Sequence, residues 1–302
     1  MTTKASEAPP SSPFKIWLMA SRPATLPAAV VPVLVGSALA YSADAFQPLV
    51  MLAALFGALF IQIGTNLAND YFDAKKGADT SERLGPTRVT QSGLLPARTV
   101  LNAALASFAL AALCGIYLIV VAGWPILVIG LLSIAAGLLY TAGPFPLGYN
   151  GLGDLFTFIF FGLVAVIGTD YAHTGQFRWV AVWAALPIAM LVTPILVVNN
   201  LRDAPTDRKA GKRTLAVIFG ERFARSEFAA LVIGAFVLLP LAWMWGGASP
   251  FTLLAWLTAP MALNLIDLVN RERGRALNKA LVGAGRLHLL FGVLFAIGLL
   301  FG

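Results

Sequence analysis

The sequence is poor in what a soluble enzyme normally uses. Charged residues make up only 12% of its 302 positions, about half the fraction typical of soluble domains, so an ordinary water-facing surface is excluded. The single cysteine, Cys114, lies inside the apolar run ASFALAALCGIYLIVV. That excludes an intrachain disulfide and a cysteine zinc site. Only two histidines occur, His173 and His288, and neither pairs with a Ser or Cys in a pattern suited to nucleophilic catalysis. The stretch GPFPLGYNGLGD, 143–154, lacks the strand–turn–helix setting of a dinucleotide loop and reads as a bend. No basic tract is interleaved with aromatics, so a base-stacking surface for nucleic acid is excluded as well.

What is present is apolar length. Hydrophobic residues reach 59%, and a helix crosses a bilayer with about 20 of them. Nine such runs are expected to span, at 24–43, 48–69, 99–121, 124–140, 153–171, 180–200, 226–245, 250–269 and 286–301. Pro187, Pro194 and Pro240 inside these runs read as kinks. With the N-terminus in the cytoplasm, Arg178 alone among the 21 Lys and Arg falls on the opposite side, which sets the orientation. The long polar connections, 70–98 and 201–225, are then cytoplasmic. The Pro- and Ser-rich segment 1–15 is expected to be a mobile tail, and 16–302 a single all-α transmembrane domain in a lipid bilayer.

The unusual feature is where the acids sit. NLANDYFDAKKGAD, 66–79, follows an apolar run, and NNLRDAPTDRKAGKRT, 199–214, repeats the arrangement. Asn66, Asp70 and Asp73 share one helical face at i, i+4 and i+7, whereas Asn69 shares it only with Asp73. Asn199, Asp203 and Asp207 do the same at i, i+4 and i+8 if the helix continues past Pro205. Each cluster is followed by a glycine, Gly77 or Gly211, and by basic residues. The pair reads as a weak internal duplication at the ends of the second and sixth spans. Carboxylate and amide oxygens are hard ligands that suit Mg²⁺, an ion that commonly binds through one or two carboxylates plus substrate phosphates. Arg88, Lys212 and Arg213 beside the acids suit the remaining phosphate oxygens. A lipid-embedded metal–diphosphate site points to an isoprenoid diphosphate, whose allylic cation needs a dry, aromatic-walled pocket. DLFTFIFFG, 154–162, with Tyr71, Phe72 and Tyr140, offers such walls, although most of these rings suit plain lipid-facing packing.

Both clusters resemble the aspartate-rich motifs of the UbiA superfamily of intramembrane aromatic prenyltransferases. SRPATLPAAVVPVLVGSALA, RLGPTRVTQSG and YTAGPFPLGYNGLGDLFTFIFFGLVAVIGTDY are similar to its menaquinone-type branch, and together these stretches cover most of 20–220. The resemblance implies nine transmembrane helices around a central cavity, Mg²⁺ as cofactor and a bacterial plasma or inner membrane location. It implies transfer of a polyprenyl group from polyprenyl diphosphate to 1,4-dihydroxy-2-naphthoate, with loss of CO₂ and diphosphate, to give demethylmenaquinone. It also implies metal and catalytic roles for Asp70, Asp73, Asp203 and Asp207, with Asn66 and Asn199 as further ligands. Arg83, Arg88, Lys212, Arg213 and Tyr140 are then implied at the diphosphate, and Asp79 matches a third acid of the first motif. The ubiquinone-type branch has that acid where this chain has Gly77.

Two rivals remain open at this level. One is a prenyltransferase for hydroxybenzoate, homogentisate, or a haem or chlorophyll precursor. The other is a cation-coupled secondary transporter, although its sites belong near the bilayer midplane rather than at one interface.

Overall fold

A computed structural model of the protein describes residues 12–77 and 84–301. Among them every regular element is helical. In chain order these are α1 (Pro13–Ser21), a 3₁₀ turn (Pro23–Thr25), α2 (Pro27–Tyr41), α3 (Pro48–Lys75), α4 (Ala97–Ala122) and α5 (Trp124–Leu139). Then follow α6 (Gly153–Thr157), a π-helical stretch (Phe158–Val164), α7 (Ala165–Thr174) and α8 (Trp179–Lys209). The chain closes with α9 (Leu215–Met244), a 3₁₀ segment (Pro250–Thr258), α10 (Ala259–Arg271), a second 3₁₀ turn (Gly274–Ala276) and α11 (Leu277–Leu299). Of the tail expected over 1–15, residues 1–11 lie outside the described residues. Pro13–Lys15 form the first turn of α1, capped by the Ser12 hydroxyl.

Seven helices among the described residues are long and apolar enough to cross a bilayer. An eighth crossing results if Pro13–Thr25 and Pro27–Tyr41, bent by 55°, act as one. The expected run 124–140 forms α5, a helix of 16 residues, which at 1.5 Å per residue extends about 24 Å, short of the roughly 30 Å hydrocarbon core. This is an integral membrane protein.

The helices outrun their apolar stretches at the end where the acids lie. The second expected span stops at 69, yet α3 continues to Lys75; the sixth stops at 200, yet α8 continues to Lys209. Hydropathy records only the part that suits lipid, while the backbone hydrogen bonds carry the helix on into polar residues. Pro205 does not end α8, so Asp203 and Asp207 share a face. Both helices stop at a left-handed glycine, Gly77 (φ 67°) and Gly211 (φ 74°), a conformation that costs glycine little. The repeated Asn–Asp–Asp–Gly layout is therefore a polar helix face followed by its cap.

α8 is the most buried long helix and packs against α9, α11 and the π-helical stretch; α2 packs on α7 and α11, and α3 on α4. A cavity of about 440 Å³ lies between α1–α2, α3, α5, the turn at 141–149, the π-helical stretch and α8. Far from it, at the start of α8, Arg178 donates to Asp170 and to the Leu39 carbonyl. His173 sits beside this ion pair, its Nδ1 accepting from the Gln47 N–H at 3.1 Å and its Nε2 facing Ser37 Oγ at 3.1 Å. His288, expected at the start of the last span, lies midway along α11 and is buried. Both histidines are thus structural.

Candidate active site

Asp73 is the hub. Its Oδ1 accepts the Tyr149 phenol at 2.7 Å, and its Oδ2 accepts from Arg88 Nη2 at 3.1 Å and Lys212 Nζ at 3.3 Å. Lys212 also stands 3.9 Å from Asp207 Oδ1, so the two acidic clusters meet at one ammonium. Two cations stand over the Tyr149 ring, Lys76 at 4.8 Å and Lys212 at 4.7 Å from its centroid, a favourable placement for the ring's quadrupole. Lys76 donates to the Thr141 carbonyl at 2.6 Å, and the Thr141 hydroxyl donates to Asn69 Oδ1 at 2.8 Å. Burial pulls the Lys76 ammonium below its ordinary range; Asp73 opposes that shift and Lys212 adds to it. Both side chains of the Arg88–Asp73 pair are buried, and removing one partner of such a pair costs about 3–5 kcal/mol.

The second cluster is held differently. Arg202, 1% exposed, grips Asp203 with both ends of its fork, at 2.8 and 2.6 Å. It also donates to Asn199 Oδ1 and Asn278 Oδ1, each at 2.8 Å. Asn278 in turn donates to the Leu84 carbonyl at 3.0 Å. A chain of hydrogen bonds therefore runs from the second cluster, through the start of α11, to the loop that follows the first. Such bidentate Arg–carboxylate contacts fix geometry as well as charge.

Of the residues singled out from sequence, Asn66, Asp73, Arg88, Tyr140, Asn199, Asp203, Asp207 and Lys212 line the cavity. Asp70 does not. Its two oxygens accept the backbone N–H groups of Val89 and Thr90, each at 3.0 Å, so it holds the loop that carries Arg88. Asn69 takes the place on the cavity wall. Arg213 is exposed, and its backbone N–H donates to the Tyr149 carbonyl at 2.9 Å. Arg83 and Asp79 lie outside the described residues. Asn69, Lys76, Thr141, Tyr149, Arg202 and Asn278 were not singled out from the sequence as site residues. Tyr149 sat in a stretch read as a bend, and Arg202 lay inside the second acidic motif, where only its Asn and Asp neighbours and the later basic residues drew a role. Nothing local marked either.

Arg22, at the bend between α1 and α2, is left-handed (φ 54°), an uncommon conformation for a non-glycine residue, and it too lines the cavity. Below the polar mouth the walls are Ile61, Ala136, Phe156, Phe160, Phe161 and Leu196. No His or Cys lines the cavity. Among the described residues no three of His, Cys, Asp and Glu form a metal cage by themselves. The donor set is two acidic faces with amide oxygens and adjacent cations. It suits a hard ion that brings its own phosphate oxygens.

Residues 29–290 match the UbiA prenyltransferase family. A 1,4-dihydroxy-2-naphthoate octaprenyltransferase of Mycobacterium tuberculosis is 39% identical, over 96% of this chain and 98% of its own. That of Bacillus subtilis is 36% identical over 94% and 92%, and that of Escherichia coli 38% identical over 94% of each. Among solved structures, a UbiA homolog from Archaeoglobus fulgidus bound to DMAPP and Mg²⁺ superposes with a TM-score of 0.64 at 16% identity, covering 94% of this chain and 98% of its own. That fold and the sequence match over most of the chain agree: the protein belongs to the UbiA prenyltransferase family.

Proposed function

We propose that this protein transfers a polyprenyl group from an allylic polyprenyl diphosphate to 1,4-dihydroxy-2-naphthoate, releasing CO₂ and diphosphate and forming the naphthoquinol that is the reduced form of demethylmenaquinone. The acceptor rests on the 36–39% identical relatives of that activity, matched over nearly their full length. The chemistry rests on one observation: Asp73 and Asp207, from helices far apart in sequence, flank the same Lys212 at the mouth of an aromatic-walled cavity.

Mg²⁺ is the proposed cofactor, held by Asp73, Asp203 and Asp207 with Asn66, Asn69 and Asn199, and it would supply positive charge to the departing diphosphate. Lys212 and Arg88, now on Asp73, are the cations proposed to meet phosphate oxygens, with Arg83, Arg213 and Tyr140 assigned to the same end. Asp70 contributes by fixing the Arg88 loop. Phe156, Phe160 and Phe161 exclude water from the allylic carbon and present π faces to its developing charge. No residue is proposed as a nucleophile.

Nine crossings and a cytoplasmic mouth belong to the same proposal. Support comes from α5: it starts beside the far end of α4 and ends at Leu139, two residues before Thr141, which bonds Asn69, so the chain returns to the cavity mouth through it. The domain is taken as 16–302 in the bacterial inner membrane. Mass spectrometry of the product from naphthoate and a series of allylic diphosphates tests the function. A prenylated, decarboxylated naphthoquinol supports it; exclusive prenylation of hydroxybenzoate or homogentisate overturns it.

A further inference from the structure

On α3, four residues and one residue before Asn66, lie two polar atoms that the proposed reaction has not yet used. Gln62 and Thr65 both line the cavity. Gln62 Oε1 and Thr65 Oγ1 are buried and have no hydrogen-bond partner among the described residues, and Gln62 as a whole is only 7% exposed. Buried polar atoms are rarely left so, and an exception calls for an explanation.

The orientation of the Gln62 amide is forced. The Thr25 hydroxyl spends its one hydrogen on the Arg22 carbonyl, at 3.0 Å. Its oxygen therefore acts only as acceptor towards Gln62 Nε2 and Asn66 Nδ2, each at 3.1 Å. Asn66 Nδ2 also donates to the Ser21 carbonyl at 3.0 Å. Both amides thus turn their nitrogens to Thr25 and their oxygens away from it. For Asn66 the freed oxygen is a hard ligand at the cavity mouth. For Gln62 it is an acceptor with nothing to accept.

Among the parts of the two proposed substrates, one can supply the missing donor. A prenyl tail carries no polar atom. Ionised diphosphate oxygens only accept, so they repel Gln62 Oε1 rather than satisfy it. A phenolic hydroxyl donates. Its depth also fits: the attacking ring has to come within about 3–3.5 Å of the allylic carbon, which lies just inside the diphosphate, and one helical turn is about 5.4 Å. Bare Gly137 faces Thr65, where a Cβ would stand 2.4 Å from the hydroxyl oxygen. We propose that Gln62 Oε1, oriented by Thr25, and Thr65 Oγ1 form the subsite that holds a ring hydroxyl of the aromatic acceptor. This rests on the prenyltransferase reading above. It adds that the acceptor is recognised as a phenol from α3, on the same helix as the first acidic cluster. The subsite orients the ring and keeps the hydroxyl off the allylic carbon, and it moves no proton.

The test is steady-state kinetics of the purified protein with Gln62→Leu and, separately, the nearly isosteric Thr65→Val. Each is assayed with 1,4-dihydroxy-2-naphthoate and with its monomethyl ethers. The expected result is a rise of about tenfold in the acceptor KM for Gln62→Leu, the effect of one lost hydrogen bond. The KM for the prenyl diphosphate should stay within about twofold. The wild type should prefer the free phenol to at least one ether, and Gln62→Leu should lose that preference. Thr65→Val should show the same pattern to a smaller degree. Wild-type acceptor KM values in both variants overturn the subsite, as does an equal rise in both KM values. Failure of the wild type to prenylate naphthoate overturns the functional reading instead and is seen before any variant is compared.

Discussion

Lys212 Nζ stands 3.3 Å from a carboxylate oxygen of Asp73, a residue 139 positions earlier in the chain. The contact joins the loop after α8 to the polar end of α3. It turns two helix-end clusters, each ordinary by itself, into one site. Lys212 neutralises acids that would otherwise repel one another at the cavity mouth, and it stands where an anionic ligand would enter.

Asp73 accepts from three donors, so its loss should be among the most damaging single changes. Asp73→Asn and Asp207→Asn are each expected to lower turnover by about 10³-fold, the scale of a lost charge-stabilising group. Membrane insertion and helix content should remain as in the wild type. Initial rates by product chromatography check this, with circular dichroism as the control. A rate within tenfold of wild type in either variant counts against the metal–diphosphate site.

Asp70 differs from its neighbours because it holds backbone rather than cavity. Asp70→Ala should free the amides of Val89 and Thr90 to exchange with solvent and loosen Arg88 with them. The expected signature is faster hydrogen exchange across 84–96 and a raised KM for the prenyl diphosphate, matched by Arg88→Ala. Combining the two changes should add little to either alone, since both act through one loop. Unchanged exchange in the loop would show that Asp70 acts elsewhere.

Tyr149 offers two separable interactions. Tyr149→Phe removes the phenol donor to Asp73 but keeps the ring against Lys76 and Lys212, and about a tenfold loss of turnover is expected. Tyr149→Leu also removes the cation–ring contacts and should lose several-fold more. Equal rates in the two variants would leave the ring without a role.

Orientation is checked with a membrane-impermeant label. Cysteines placed at the exposed Lys209 and Arg213 should react only from the cytoplasmic side, and one at the exposed Phe177 only from the opposite side. Labelling in the reverse sense would invert the proposed topology.

The helices were legible because lipid demands long apolar runs, and these runs are unambiguous at 48–69, 99–121 and 180–200. Their polar extensions were not, because hydropathy is blind to a helix that continues into polar residues. The π-helical stretch at 158–164 had no visible mark beyond its phenylalanines. In the candidate site, helical spacing singled out Asn66, Asp73, Asn199, Asp203 and Asp207, which all line the cavity. The same spacing could not say that Asp70 turns to the loop while Asn69 turns to the cavity, since those neighbours lie about 100° apart and the partners decide. Tyr149, Asn278 and Gln62 were invisible for the same reason: each owes its role to a residue distant in the chain.

The central claim is that the two acidic faces form one divalent-metal site for the diphosphate of a prenyl donor. The most direct measurement is formation of prenylated naphthoquinol by the purified protein, with Mg²⁺ and after removal of divalent ions by chelation. The account predicts product with Mg²⁺, none after chelation, and recovery when Mg²⁺ is restored. Undiminished product formation in the chelated sample would contradict it.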